Sequence, residues 1–571
     1  VVAVELSLEE PGRQLVSVSI SWTPHHRRQV LQLPSWTPGS YLIRDYVQWL
    51  EDLQLSQNDA PRAVRRIAVN RWQVDLPHLE PLTLRYRIQA SELTVRTCHL
   101  DRSHGFLALA AVVMEVEGQR WTPHQLSLNL PEDWHAFLPL PERAPEDGGG
   151  WLAADFDALV DTPLELGPHL SQTFEVRGVP HRWVCWSEAP EPGLPSDWIA
   201  LLQAVCDRCC ELMGEAAPAA ERYLFILHLL EQGYGGLEHD LGSVLQFSWR
   251  DLAEADGLRH LLQLAAHEYL HQWNVRRLRP RALVPYDYGG PVITADLWFA
   301  EGITSYLDLF LPLHIGQARE ADLLSDLGRD LSRYRLTPGR HHQSLSLSSQ
   351  EAWVKLYRRH DNAADSQVSY YLKGAVVALC LDLHLRRHGQ ALLTVLRSLW
   401  QRFGRHGGGY SREDLISAFA ATAADLALLL PIWLDDCEDP DLDGYLADVG
   451  LALRPHSAAG AALAGLRVSA DGGAPLLARR VERDGAAARA GCLSGDELLA
   501  LDGWRLRRPE DLDQQLRPGS RQELLISRRG RLHSLPLHCA ESGTGHWTLE
   551  LNDAAPPDAH RARERWLQLV P

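Results

Sequence analysis

The chain has 571 residues, too many for one ordinary hydrophobic core, so roughly two to four domains are expected. Lys and Arg number 56 against 74 Asp and Glu, and the resulting formal charge of −18 argues against nucleic acid or an anionic membrane surface as the main partner. The 9 cysteines form no spaced framework, and three of them crowd into CDRCC (Cys206, Cys209, Cys210), which reads as the reduced thiols of a cytoplasmic protein.

From residue 1 to 175, short alternating segments such as LVSVSISW, LTLRYRIQA and VVMEVEG are separated by Pro, Gly, Asp and Asn, the pattern of a β-sandwich. The opening VVAVELSLEEPGRQL alternates like a strand and lacks the charged start and apolar block of an export signal. The chain starts on Val1 instead of Met, which leaves room for a trimmed signal. No apolar run is long enough to span a membrane. SWTPGSYLIRDY interrupts the strand pattern. Pro38 and Gly39 suit the two central positions of a type II turn, and the loop serves either as a turn alone or as an approach to a neighbouring active site.

From 176 to 457 the segments lengthen and take a helical period, as in PSDWIALLQAVCDRCCELMG, DGLRHLLQLAAHEYLHQWNVRR, TADLWFAEGITSYLDLFLPL and SYYLKGAVVALCLDLHLRRHG. CDRCC falls on the first of these and reads as core packing. The basic RRLRPR after the histidine segment reads as helix-end cations, with Pro280 ending the helix. Past the small-residue stretch RPHSAAGAA, residues 460–545 alternate short strands with one short helix, a compact module, and residues 546–571 read as a C-terminal tail.

LAAHEYLHQWN carries the most chemistry. His267 and His271 are four residues apart on a helix, hence one turn apart on one face, a spacing that lets two imidazoles converge on one zinc ion with Glu268 beside them to take a proton from water. Leu264, Ala265 and Leu270 flank the motif and imply a buried helix, where ionisable groups need partners. Catalytic zinc wants a third protein ligand. One zinc-protease class supplies a His six residues after the second, past a Gly; Asn274 and Arg277 occupy those places here and exclude that class. The segment TADLWFAEGITSYLDLFL is apolar nearly all round except for Glu301, Thr304, Ser305 and Asp308, which share one stripe. Glu301 is the natural third ligand, with Asp308 as the fallback or a supporting group.

HEYLHQWN followed by LWFAEGITSY resembles the M61 peptidase family, the glycyl aminopeptidases, related to the larger M1 aminopeptidases. SWTPGSYLIRDY resembles the family's N-terminal β-domain, and the last third resembles the PDZ module that many members carry. The resemblance implies a multidomain chain: an N-terminal β-sandwich domain over 1–175, a mostly helical thermolysin-like zinc peptidase domain over 176–457, a PDZ-like domain over 460–545 and a tail over 546–571. YGGLEH resembles the Gly-x-Met-Glu-Asn segment of zinc aminopeptidases, with Glu238 matching the glutamate that holds the free amine and His239 replacing the asparagine. Gly235 and Gly236 let a substrate backbone come close, and a carboxylate at the groove's end favours an ammonium. SYYLKG resembles the Tyr-x-Lys-Gly segment of the larger relatives, so Tyr371, three residues before Gly374, matches the oxyanion-stabilising phenol; Tyr370 is adjacent. In the C-terminal module, DGAAARAGCLSGDELLALDG looks like a PDZ stretch, and Gly465 in ALAGLRV is where free backbone amides would meet a peptide carboxylate.

These features imply a zinc-dependent aminopeptidase that takes peptides with a free N-terminus and prefers Gly or Ala, the preference coming from the resemblance. Two alternatives are carried: a zinc endopeptidase or oligopeptidase in which Glu238 is structural, and a PDZ peptide-binding scaffold with a vestigial zinc site. Side-chain preference beyond the resemblance, the PDZ ligand and the oligomeric state are not written in the sequence.

Overall fold

The computed structural model describes residues 1–189, 193–358, 360–469 and 475–570, so part of the C-terminal module, 470–474, lies outside the described residues. The chain divides into two compact units. The first comprises Val1–Thr294, Leu311–Ala318 and Leu396–Leu415; the second comprises Ala295–Phe310, Arg319–Val395 and Ile416–Pro571.

The first unit opens sheet-rich. Strict alternation in VAVELS places Val2, Val4 and Leu6 inward and their neighbours outward, as in a strand with one covered face. This strand, Val2–Ser7, pairs in parallel with His124–Asn129 and antiparallel with Leu15–Trp22, within a seven-stranded sheet that ends at Trp151–Ala153 and Ala60–Arg62. Two four-stranded sheets accompany it. Farther along the same unit, a five-stranded sheet runs in the order Ser171–Val176, Val179–Ser187, Tyr223–Leu230, Gly242–Ser248, Tyr234–His239. Its three central strands are parallel, and Tyr223–Leu230 is apolar and buried almost throughout, as expected of a strand covered on both faces. YGGLEH is the edge strand, antiparallel to Gly242–Ser248. Helix Trp198–Met213 buries Cys206, Cys209 and Cys210 completely, and all 9 cysteines are free thiols.

The second unit gathers the helices Leu297–Asp308, Glu320–Arg335 and Tyr370–Arg387 with two C-terminal sheets. In one, Leu451–Ser457 pairs with Thr544–Leu551; the other runs from the edge strand Leu466–Ser469 to Arg531–His538 around a small core that includes Leu498, Leu524 and Ile526. Gly465 does not offer a free amide there: its N–H donates to Ala462 O at 3.0 Å, and a Cβ on it would lie 2.8 Å from Gly485 Cα. Close packing, which the sequence cannot display, corrects the expectation that this glycine frees backbone amides. Among the described residues, no helix is long and apolar enough to cross a membrane.

The chain's last helix, Pro557–Leu567, inserts Trp566, fully buried, against Phe310 with ring centroids 5.5 Å apart. Trp566 Nε1 donates to Tyr306 Oη at 2.9 Å, and Tyr306 Oη donates to Asp382 at 2.6 Å. The C-terminal helix is thus latched to the same helix that carries Glu301. Replacing Trp566 with Ala should cost about 3–5 kcal/mol of stability, the range for deleting a large buried aromatic. Urea titration of the full chain checks this, and a loss below about 1 kcal/mol would mean the latch carries little.

Candidate active site

The histidine helix, Gly257–Leu270, follows from the spacing of Leu261, Leu262, Ala265, Ala266 and Leu270, all buried. It stops at Leu270, well before Pro280, and His271 is its C-cap at φ −62° and ψ −19°. One local and one long-range contact favour the early stop. Asn274 O accepts a 2.6 Å hydrogen bond from His271 Nδ1, and Gln272 Oε1 accepts from the amides of Ala219 and Ala220 at 2.8 and 3.2 Å.

The bond to Asn274 places the His271 proton on Nδ1 and turns the Nε2 lone pair towards His267, whose Nε2 lies 3.0 Å away. Two ring nitrogens, each about 2.0–2.1 Å from one zinc ion, would stand roughly 3–3.5 Å apart. The pair therefore fits a metal. His267 is half-buried and His271 is buried.

Glu268 is buried at 4% exposure and lies against the edge strand so closely that a Cβ on Gly236 would overlap its carboxylate. Gly235, by contrast, faces open space. Further along the strand, Glu238 is 3% exposed, and among the described residues its Oε1 has no hydrogen-bond partner. Glu238, Glu268 and His271 each bring one ligand-type atom within 4.8 Å of the other two. The N-terminal region supports this strand: Arg96 Nη2 donates to Gly236 O at 3.0 Å.

The basic run after the helix differs from the expectation of solvated helix-end charges. Arg276 is buried at 1% exposure, 2.7 Å from Asp161 and 2.8 Å from Asp240. Burial alone would push the Asp240 carboxyl up, but Arg276, Arg279 and Arg277 outweigh it and hold that group below the usual carboxylate range. A buried guanidinium needs such partners.

In the second unit, Leu297–Asp308 is buried nearly all round, and Glu301 is 1% exposed within it. Asp308 ends the same helix and is also buried. This helix meets the tyrosine helix, Tyr370–Arg387, through two glycines: a Cβ on Gly302 would sit 2.5 Å from Gly374 Cα. Ser369 caps the tyrosine helix, accepting from Tyr371 N at 3.2 Å. The rings of Tyr370 and Tyr371 stack at 4.8 Å, and Tyr357 Oη stands 3.1 Å from both hydroxyls. Tyr370 is wholly enclosed, whereas Tyr371 is half-buried and borders a cavity of about 410 Å³ shared with Lys355, Ser369 and Arg480. Burial, then the charge of Glu301, raises the Tyr371 hydroxyl well above the ordinary phenol range, so it stays a donor at neutral pH.

Thus the first unit brings together His267, His271, Glu268, Glu238 and Gly236, while the second pairs Glu301 with Tyr371. Sequence reasoning missed Arg96, the Asp161–Arg276 pair and the Gly302–Gly374 crossing. Only the last left a signal, since each glycine directly follows a charged residue within an otherwise apolar helix.

The family model of the Peptidase M61 N-terminal domain matches residues 3–168, and that of the M61 glycyl aminopeptidase matches residues 260–377. The crystal structure of an aminopeptidase N family protein from Idiomarina loihiensis is similar over 100% of both chains, at 29% identity and a TM-score of 0.91. An M1 zinc metallopeptidase from Deinococcus radiodurans shares the fold at 16% identity and a TM-score of 0.50, over 77% of this chain and 94% of its own. None of the curated protein sequences matches. With N-terminal and catalytic family models both matched and a full-length structural relative beside them, the chain belongs to the M61 peptidase family and is a peptidase.

Proposed function

We propose that the chain is a zinc aminopeptidase that releases small residues, glycine or alanine, from peptides with a free N-terminus. One observation carries the reading: a buried Glu238 oxygen without a hydrogen-bond partner among the described residues, in a group whose ligand-type atoms lie within 4.8 Å of Glu268 and His271. In one α-amino acid the nitrogen and its own carbonyl carbon are about 2.5 Å apart. A carboxylate so close to the base suits an ammonium one residue from the scissile bond, and the buried oxygen supplies the acceptor it needs.

His267 and His271, with Glu301 from the second unit as third ligand and Asp308 as the fallback, would hold the zinc. Bound there, zinc supplies Lewis acidity to the scissile carbonyl and lowers the pKa of water. Glu268 takes the proton from the attacking water and passes it to the leaving amine. Tyr371 donates to the oxygen that becomes negative in the transition state, a role supported over Tyr370 by its partial exposure beside a cavity where Tyr370 is fully enclosed. Glu238 holds the substrate ammonium, and Gly236 keeps the strand clear of Glu268. Gly235, open on its outer side, leaves room for the substrate backbone.

The preference for glycine or alanine rests on family kinship. The same reading keeps the division into a β-sandwich domain over 1–175, a thermolysin-like domain over 176–457, a PDZ-like domain over 460–545 with a peptide as its ligand, and a tail over 546–571. It also keeps a cytoplasmic location, consistent with 9 free thiols.

His267→Ala and Glu301→Ala should lose most of the zinc measured by elemental analysis of the purified chain; full zinc content in Glu301→Ala would transfer the third ligand to Asp308. Glu268→Gln should keep zinc and lose turnover by about three orders of magnitude or more, and near-normal turnover would remove its proton-transfer role. Tyr371→Phe should lose about 10²- to 10³-fold in kcat; a loss of that size in Tyr370→Phe instead would exchange the two. For Glu238→Ala, kcat/KM on free-amine glycyl substrates should fall by about 10- to 100-fold, equivalent to roughly 1.5–3 kcal/mol. Equal wild-type cleavage of free and N-acetylated peptides would reject the aminopeptidase reading and leave the endopeptidase one.

A further inference from the structure

We infer that the Pro38–Gly39 turn of the N-terminal sheet-rich region is the end wall of the amine site, that Gly39 positions the Glu238 carboxylate, and that this wall limits the enzyme to one unsubstituted residue upstream of the scissile bond. The inference rests on the reading of Glu238 as the ammonium acceptor and goes beyond it, because it assigns specificity to a residue outside the zinc-binding segments.

Thr37 O accepts from Ser40 N at 3.1 Å, and Gly39 has φ +83°, so the segment is the type II turn that its sequence suggests. That settles only the backbone. The turn is also buried over Thr37–Ser40, unusual for a loop unless something lies beneath it. A Cβ built on Gly39 would stand 2.5 Å from Glu238 Oε2 and 2.6 Å from Oε1, so the glycine Cα lies directly over the carboxylate. A Cβ at this position meets two separate obstacles: the positive φ, which few L-residues other than Asn adopt, and the carboxylate, which would have to move.

The turn is held firmly within the first unit. Trp36, fully buried, donates from Nε1 to Asp287 O at 2.7 Å; Ser35 N donates to Tyr288 O at 2.8 Å; and beyond the turn Arg44 N donates back to Ser35 O at 2.8 Å. A wall pinned on both sides cannot retreat to admit a longer substrate without breaking buried hydrogen bonds. Glu238 meets this wall with both oxygens, and Oε1 is still without a hydrogen-bond partner among the described residues. So tight a wall suits a primary ammonium, which carries only hydrogens besides its own α-carbon. An added carbon on that nitrogen keeps the positive charge but points into the turn. The wall therefore discriminates by shape where Glu238 discriminates by charge.

Three anilide substrates separate the two effects: glycyl, N-methylglycyl with the same charge and one more carbon, and glycolyl with a hydroxyl replacing the amine. The zinc-loaded wild type should cleave the glycyl substrate at least about 10-fold better than the N-methylglycyl one by kcat/KM, a comparison that needs no variant. Gly39→Ala should lower kcat/KM for the glycyl substrate by about 10- to 100-fold, as removal of the carboxylate would, and leave the glycolyl substrate within about twofold. In a Glu238→Ala background the same substitution should have little further effect, because the two residues act as one unit. Gly39→Asn, which tolerates positive φ but carries the same Cβ, should behave like Gly39→Ala and separates the overlap from backbone strain. Equal wild-type turnover of glycyl and N-methylglycyl substrates, or losses from Gly39→Ala that are equal on glycyl and glycolyl substrates and additive with Glu238→Ala, would overturn the wall. Equal wild-type turnover of glycyl and glycolyl substrates would overturn the amine reading and the wall with it.

Discussion

A carboxylate taken out of water is costly unless a cation or hydrogen-bond donors replace the hydration, and that constraint organises the candidate site. Some buried charges in this chain meet counter-ions: Arg276 lies 2.7 Å from Asp161 and 2.8 Å from Asp240. Glu238, at 3% exposure, has one oxygen lacking a hydrogen-bond partner among the described residues. His267 and His271 face one another through ring nitrogens 3.0 Å apart, an arrangement that suits a shared cation. In the proposed reading an ammonium supplies the partner that Glu238 Oε1 lacks among the described residues, and the facing imidazoles suit a metal ion.

Glycines make the close approaches possible. At Gly236 and Gly39 the backbone presses onto the carboxylates of Glu268 and Glu238, and at Gly302 and Gly374 two helices touch backbone to backbone. In each case a methyl group would have to displace either a functional carboxylate or a neighbouring helix. At Glu238 the glycine backbone restricts the carboxylate by shape, and Oε1 is without a hydrogen-bond partner among the described residues.

Much of this was legible in the sequence, because the signals are local. The four-residue spacing of His267 and His271, the polar stripe holding Glu301, the alternation near the N-terminus and the turn signature at Pro38–Gly39 all operate within one element. What escaped depends on contacts between distant segments. The histidine helix ends at Leu270 because Asn274 and Gln272 find partners that helix propensity does not register. The chemical meaning of Gly39 appears only when strand Tyr234–His239 is brought beneath it, and the burial of Arg276 only when Asp161 arrives. The last helix reads from sequence as a polar tail; its single buried Trp566, latched to Tyr306, makes it part of the second unit's core.

The proposed closure of the site at its amine end is tested most directly by the identity of the first product. Mass spectrometry of the early products from a glycine-led pentapeptide, incubated with the zinc-loaded full chain, should detect free glycine and the tetrapeptide first, followed by stepwise shortening from the same end. Dipeptides or internal fragments among the earliest products would contradict it, since an open-ended groove would then have to lie where the structure has Gly39 over Glu238.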